Sequence, residues 1–233
     1  MREAEPQLRL AMRWGAPMQL VVGLGNPGPA YAFTRHNLGF LVLEEFARRR
    51  GLRFAPVHAD FDAAEGAIAG DRLVLLRPLT HMNRSGRALV SWARLSRQRV
   101  GLDLAGRPGL AEPGALVQPA LVPTALCDDI ALPLGAIRVR ARGSSGGHRG
   151  LESLAEVLGG NDFSRVRLGV AGSEGLPAPE LWADYVLSNF TPAERLAVAE
   201  MVDHAVRALG VLLAEGPAVA AVRCNRSGKQ AAA

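Results

Sequence analysis

The chain has 233 residues, 48% of them hydrophobic, enough for one sizeable α/β domain with a proper core or for two small ones. No run of about twenty uncharged apolar residues occurs, which excludes a transmembrane helix; Cys127 and Cys224 lie far apart in sequence, which points away from a disulfide framework and towards a reducing cytoplasm. The formal net charge of +5 and a pI near 10.2 admit a polyanionic partner, and because Lys229 is the only lysine among 27 basic residues, the placing of the arginines carries more information than their number.

Residues 1–17, MREAEPQLRLAMRWGAP, have scattered arginines and no apolar h-region, so they do not form a secretory signal and are expected to be a disordered extension. MQLVV, residues 18–22, reads as a short buried strand. It leads into GLGNPGPAYAFTRHN, residues 23–37, which opens with G-x-G-x-x-G. A dinucleotide fingerprint needs a helix to open directly on the third glycine. Here the loop continues, Pro27 and Pro29 each remove a backbone N–H, and Glu44 and Glu45 fall inside the next helix instead of at a second strand tip. That helix, in HNLGFLVLEEFARRR, carries Leu38, Leu41, Val42 and Phe46 as an apolar stripe.

AEGAIAG and RLVLLRP, either side of Gly70-Asp71, predict a hairpin. LTHMNRSGRALVSWARL predicts a loop carrying Asn83 and then a helix with Ala88, Leu89, Trp92, Ala93 and Leu95 on one side. Residues 97–121 are rich in Gly, Pro and Ala without periodicity and read as an inserted flexible loop. From Pro123 onward the expectation is a strand into Asp128 and Asp129, a Pro-Gly turn, a second strand, a glycine loop and a helix. FSRVRLGVAG predicts a further strand, and residues 191–216 a long amphipathic helix with Thr191 as cap, Pro192 in the first turn and Glu194 completing a capping box. Strands alternating with helices give an α/β fold: a single-domain three-layer sandwich, residues 18–222, with a twisted, mixed but largely parallel sheet flanked by helices. Residues 223–233 are expected to be a disordered tail.

In open α/β sheets, sites form in loops beyond the carboxyl ends of strands. Three such loops carry polar groups that a plain connection does not need: Asn26 to Asn37, His81 to Asn83, and Asp128 to Asp129. His36 reads either as a helix cap or as a general base whose other nitrogen is held by a carboxylate such as Asp128, which itself reads alternatively as the start of a turn. Asn26 and Asn83 read either as Asx turns or as groups that orient water and stabilise an oxyanion. Arg138, Arg140 and Arg142 alternate on one strand face, with no acid between Pro133 and Leu151. They form either a phosphate-binding surface, with Arg167 on the next strand as an addition, or a charged edge strand. GSSGG imitates a nucleophile elbow around Ser145, but the arginine stripe argues against the buried strand that an elbow requires, His148 is too close in sequence, and His204 lies in a helix. No paired C-x-x-C, H-x-x-x-H or H-E-x-x-H occurs, so no metal site is expected.

Taken in order, VVGLGNPGPAYAFTRHNLGF, PLTHMNRSG, CDDIALPLGAIRVRARGSSGGHRGL, FSRVRLGVAG and DYVLSNFTPAE closely resemble the bacterial peptidyl-tRNA hydrolase family over roughly residues 18 to 222. The resemblance implies a monomeric, cytoplasmic esterase that needs no metal or other cofactor. It would release tRNA from peptidyl-tRNAs shed by ribosomes and have tRNA, not a membrane, as its partner. It implies His36 as the base that activates water, Asp128 as the group that orients and polarises it, and Asn26 and Asn83 as holders of substrate and water. Tyr31 and Met82 would meet the substrate, and His148 and the glycine loop the acceptor stem or CCA end. Arg140 and Arg167 match the family's clamp for the tRNA 5′ phosphate, with Arg138 and Arg142 beside them. Two positions depart from the pattern: Arg149 stands where the family usually has Asn, so a phosphate contact or solvent exposure is expected there, and His81 stands where an aromatic residue is common.

Overall fold

The computed structural model describes residues 18–99, 122–173 and 175–225; the extension expected at 1–17, most of the expected insertion and residues 226–233 lie outside the described residues. In chain order the elements are β1 (Met18–Gly23), α1 (Leu38–Arg49), β2 (Ala55–His58), β3 (Phe61–Ile68), β4 (Asp71–Pro78), α2 (Ser85–Arg99), β5 (Thr124–Pro133), β6 (Ile137–Arg140), α3 (Arg149–Leu158), β7 (Ser164–Ala171), α4 (Trp182–Leu187), α5 (Arg195–Glu215) and α6 (Pro217–Cys224). The strands form one sheet in the order β2-β3-β4-β1-β5-β7-β6. Its centre is parallel, β1 lying between β4 and β5 and β5 beside β7. Both edges are antiparallel, through β2-β3-β4 and β6-β7. The sheet is therefore mixed and sandwiched between helices, as the alternating pattern predicts.

The central strands are apolar on both faces, as a sheet covered by helices on both sides requires. Val21, Leu73, Leu75, Leu126 and Val166 pack with α1, α5 and α6 in one core. Leu20, Val22, Val74, Leu76, Ala125 and Cys127 pack with α2 and α3 in the other. Glycine sets the height of α1 above the sheet. Leu24 N–H donates to the Leu126 carbonyl at 2.9 Å, and α1 crosses directly over this link: a Cβ on Gly39 would lie 2.4 Å from both the Leu24 and Leu126 carbonyl oxygens. Two glycines of the G-x-G-x-x-G serve the same approach. A Cβ on Gly23 would meet the Gly39 carbonyl oxygen at 2.8 Å, and one on Gly25 the Phe40 ring at 2.7 Å. The fingerprint thus seats a helix on a strand end and does not cradle a phosphate.

Several boundaries move. β5 does not end at Asp128 but continues to Pro133, with its register against β7 shifting between Asp129 and Pro133. Helix α2 reaches Arg99, so the inserted segment starts later than residue 97. α6 carries the fold to Cys224, past the expected limit at 222, and Cys224 is buried in the core instead of lying in a polar tail. Asn225 Oδ1 then accepts the Val139 N–H at 2.6 Å, which satisfies an edge-strand donor. The expected capping box of Thr191 and Glu194 is present at the 3-10 turn Pro192–Glu194 that leads into α5, where Thr191 N–H donates to Glu194 at 2.7 Å.

Candidate active site

Strand β1 is the topological switch point: the chain leaves it to build β2-β3-β4 on one side and returns through α2 to β5 on the other. Crevices open at such points, beyond the carboxyl ends of the strands. β1 ends at Gly23, paired with Leu126, so the next residues of β5 project past it. Here a cleft of about 420 Å³ is lined by Asn26, His36, Met82, Asn83, Asp128, His148, Arg149 and Arg167, among others.

At its floor, two histidines share one carboxylate oxygen. His36 Nδ1 lies 2.8 Å from Asp128 Oδ1, and His148 Nε2 lies 2.9 Å from the same atom. The ring centroids are 4.8 Å apart. Hydrogen-bond roles follow from the partners. His148 Nδ1 accepts the N–H groups of Gly150 and Leu151, at 3.1 and 3.3 Å, as the N-cap of α3, so its proton is on Nε2 and is donated to Asp128. His36 Nδ1–H likewise donates to the carboxylate, which leaves His36 Nε2 as a free lone pair. Asp128 is 2% exposed. Burial pushes its carboxyl up, but attraction to His36 and His148 and their hydrogen bonds outweigh burial and hold it well below the usual carboxylate range. These three are the only described trio of His, Cys, Asp and Glu side chains close enough to share a cation. A cation there would require His148 to surrender its Nε2 proton and His36 its Nδ1 proton, so the donor set suits a hydrogen-bonded relay better than metal ligation.

Three consecutive residues of the turn Arg35–Asn37 grip three different elements. His36 faces β5. Asn37 clamps the loop after β1: its Oδ1 accepts Asn26 N–H at 2.8 Å and its Nδ2 donates to the Asn26 carbonyl at 2.9 Å. Arg35, 4% exposed, reaches the corner between α4 and α5. Asn26 is not in a local Asx turn, because its Oδ1 accepts Met82 N–H at 2.9 Å across 56 positions. That bond leaves its Nδ2 as the donor group beside the cleft. Asn83 is exposed on the opposite loop. Gly150 allows α3 to approach: a Cβ there would meet Met82 Sδ at 2.6 Å and His148 Cε1 at 3.1 Å.

The remaining expected residues divide. Arg149 lines the cleft as an exposed residue in the first turn of α3. Arg167 also lines it but is engaged: it pairs with Asp129 at 2.8 Å and donates to the carbonyls of Ser144 and Ser145, at 3.3 and 2.9 Å. Arg138 and Arg140 lie exposed on β6, an edge strand, and Arg142 follows them in the exposed loop; they do not line the cleft. Tyr31, in the turn Pro29–Tyr31, does not line it either. Ser145 Oγ accepts Gly147 N–H at 3.2 Å and lies 3.3 Å from Glu152, a loop brace with no histidine partner.

Sequence reasoning missed two features. Arg165, fully buried beneath the glycine loop, donates to the carbonyls of Gly143, Ser144, Asn161 and Phe163 and stacks on Phe163 at 4.1 Å. Burial pushes its guanidinium down. Its alternation with Arg167 in SRVR was the available signal. The other is an apolar wall on α4: Trp182, Ala183, Val186 and Leu187 line the cleft with Ile130, and their spacing of one and four puts them on one helix face.

The peptidyl-tRNA hydrolase family profile matches residues 20–101 and 120–232, interrupted inside the segment read as an insertion. The chain is 41% identical to the peptidyl-tRNA hydrolase of Roseiflexus castenholzii, over 89% of this chain and 87% of that one. It is 38% identical to that of Chloroflexus aurantiacus, over 89% and 99%. The crystal structure of the Acinetobacter baumannii peptidyl-tRNA hydrolase superposes with a TM-score of 0.71 at 29% identity, covering 91% of this chain and 96% of that one. On these matches the chain belongs to the peptidyl-tRNA hydrolase family.

Proposed function

We propose that the cleft hydrolyses the ester joining the terminal carboxyl of a peptide to the 3′-terminal ribose of tRNA, with His36 as general base. The observation that carries this reading is the 2.8 Å contact between His36 Nδ1 and Asp128 Oδ1, which commits one nitrogen to donation and frees the other to accept. His36 Nε2 takes a proton from water as the water oxygen bonds to the ester carbonyl carbon. Asp128, doubly hydrogen-bonded and ionised, stabilises the imidazolium that forms. The Asn26 amide, turned by Met82 N–H so that its nitrogen donates, serves the carbonyl oxygen as negative charge develops, and Asn83 positions substrate or water. Collapse of the tetrahedral intermediate breaks the bond to the ribose oxygen, which takes the proton from His36. The products are a peptide acid and a tRNA with a free hydroxyl. A positioned base contributes on the order of 10²- to 10⁴-fold, and a preorganised oxyanion donor roughly 10²- to 10³-fold.

The basic side of the cleft, with Arg149 and the glycine loop, receives the CCA end; Met82 and the α4 wall receive the acyl chain. The exposed arginines of β6 and the loop after it contact phosphates of the acceptor stem. The enzyme works as a cytoplasmic monomer, in keeping with two free, buried cysteines. Among the described residues no helix is long and apolar enough to cross a membrane. Purified protein should release the N-acyl amino acid from N-acyl-aminoacyl-tRNA; absence of release would reject the proposal. Changing Arg138, Arg140 and Arg142 together to Gln should weaken tRNA binding and flatten its salt dependence, by roughly 0.7–0.9 in the log–log slope for each phosphate that is no longer neutralised. An unchanged slope would remove these arginines from the interface.

A further inference from the structure

Arg35 is more fully engaged than a surface turn requires. Its Nη2 lies 2.8 and 2.7 Å from the two Glu194 carboxylate oxygens, and its Nη1 donates to the Asn189 carbonyl at 2.6 Å. The guanidinium lies against two aromatic rings, 4.6 Å from the Tyr185 centroid and 4.7 Å from that of Phe190. The backbone repeats the connection: Arg35 N–H donates to the Ser188 carbonyl at 3.1 Å, and Thr34 bridges to Asn189. Everything Arg35 holds is at the end of α4 or in the corner that follows it. Tyr185 in turn is fixed to the end of β7, donating to the Val170 carbonyl at 2.7 Å and accepting Gly172 N–H at 2.9 Å.

The position of this tether gives it a consequence for the reaction. α4 carries Trp182, Val186 and Leu187 into the cleft, where Trp182 and Leu187 stay 38% and 40% exposed. The other end of the tether is the residue before His36, in a tight turn whose next side chain is held by Asp128. A displacement of α4 therefore acts on the turn that aims the His36 imidazole. Arginine suits this task because its planar fork grips carboxylate and carbonyl together while its faces stack on rings, a set of contacts that lysine does not reproduce.

We infer that Arg35 is a positioning residue that couples the apolar wall to the base: an acyl chain seated against α4 steadies the His36 turn, so peptides ending in a bulky apolar residue are hydrolysed with a higher kcat than those ending in glycine. The inference rests on the proposed role of His36. The test compares N-acetyl-phenylalanyl-tRNA with N-acetyl-glycyl-tRNA in the wild type and in Arg35→Met, Glu194→Gln and His36→Ala. The wild type should turn over the phenylalanyl ester with the higher kcat. Arg35→Met should lower kcat on that ester roughly 10- to 100-fold, the scale on which small misplacements act, with KM little changed and the preference lost. Glu194→Gln keeps a residue suited to the α5 cap; it should shift kcat and preference the same way to a smaller extent, and it carries the test if Arg35→Met does not fold. A wild type without the preference, an Arg35→Met enzyme with wild-type kcat, or an equal loss on both esters would overturn the coupling. Full activity of His36→Ala would instead overturn the proposed function on which the coupling depends.

Discussion

Asp128→Ala should lower kcat for peptidyl-tRNA hydrolysis by roughly 10⁴-fold, the scale seen when the carboxylate that orients a catalytic histidine is removed from other hydrolases. One oxygen of Asp128 receives both His36 Nδ1–H and His148 Nε2–H, so the substitution releases two imidazoles at once. His36 then loses the contact that selects its tautomer, and the imidazolium formed during attack loses its counter-charge. His148 keeps its capping bonds to Gly150 and Leu151 but is left with a buried N–H unpaired, which costs about 1–3 kcal/mol. Asp128→Asn separates the two effects: it keeps the shape and an acceptor oxygen, so it should recover stability much more than rate. Because the native carboxyl is held below its ordinary value of 3.8, its ionisation contributes stability that is complete above that pH and is lost as the pH falls through the lowered native value. Urea unfolding should therefore show the wild type's advantage over Asp128→Ala at pH 7 and a smaller advantage near pH 3. Equal stabilities at pH 7 would contradict the shared-carboxylate arrangement.

Gly39→Ala is expected to damage both stability and rate. The added carbon would lie 2.4 Å from two backbone carbonyl oxygens and 2.6 Å from the Leu24 nitrogen, and backbone cannot rotate away as a side-chain tip can. Helix α1 must lift, at a cost of about 3 kcal/mol for overpacking. His36 precedes that helix by two residues, so lifting α1 moves the imidazole relative to Asp128. A displacement of about 1 Å is enough to cost on the order of 10²-fold in rate. Thermal unfolding and kcat, measured well below the midpoint of unfolding, should both fall. A variant with wild-type stability would show that α1 does not need this close approach.

The core elements were legible because their periodicities are strong. α1, α5 and the β3-β4 hairpin follow from apolar spacing and turn residues. β2 is a four-residue edge strand containing Pro56, mostly exposed, and so has neither alternation nor an apolar run. The end of β5 was misplaced because acidic residues usually mark a strand's limit, whereas here Asp128 and Asp129 are matched by His36, His148 and Arg167. In the site, the types and order of Asn26, His36, Asn83 and Asp128 were readable, but their partners were not. The Asn26 to Met82 bond spans 56 positions, and the Arg35 to Glu194 pair spans 159; contacts at such separations leave no local signal. The glycine fingerprint was legible only together with its surroundings. Close approach to a helix and close approach to a phosphate both require a missing Cβ; the late helix start and Pro27 and Pro29 argue against the phosphate, and the contacts of Gly23 and Gly25 with α1 give the reason for the missing Cβ.

The central claim is that the free nitrogen of His36, aligned by Asp128, takes the proton from the attacking water. It is tested most directly by single-turnover release of N-acetyl-amino acid from N-acetyl-aminoacyl-tRNA, with His36→Ala beside the wild type at matched tRNA occupancy. The account predicts that His36→Ala binds tRNA as the wild type does, stays folded at the assay temperature although the buried Asp128 carboxylate loses one partner, and releases product at least about 10²-fold more slowly. Release at the wild-type rate by a folded His36→Ala protein would contradict it.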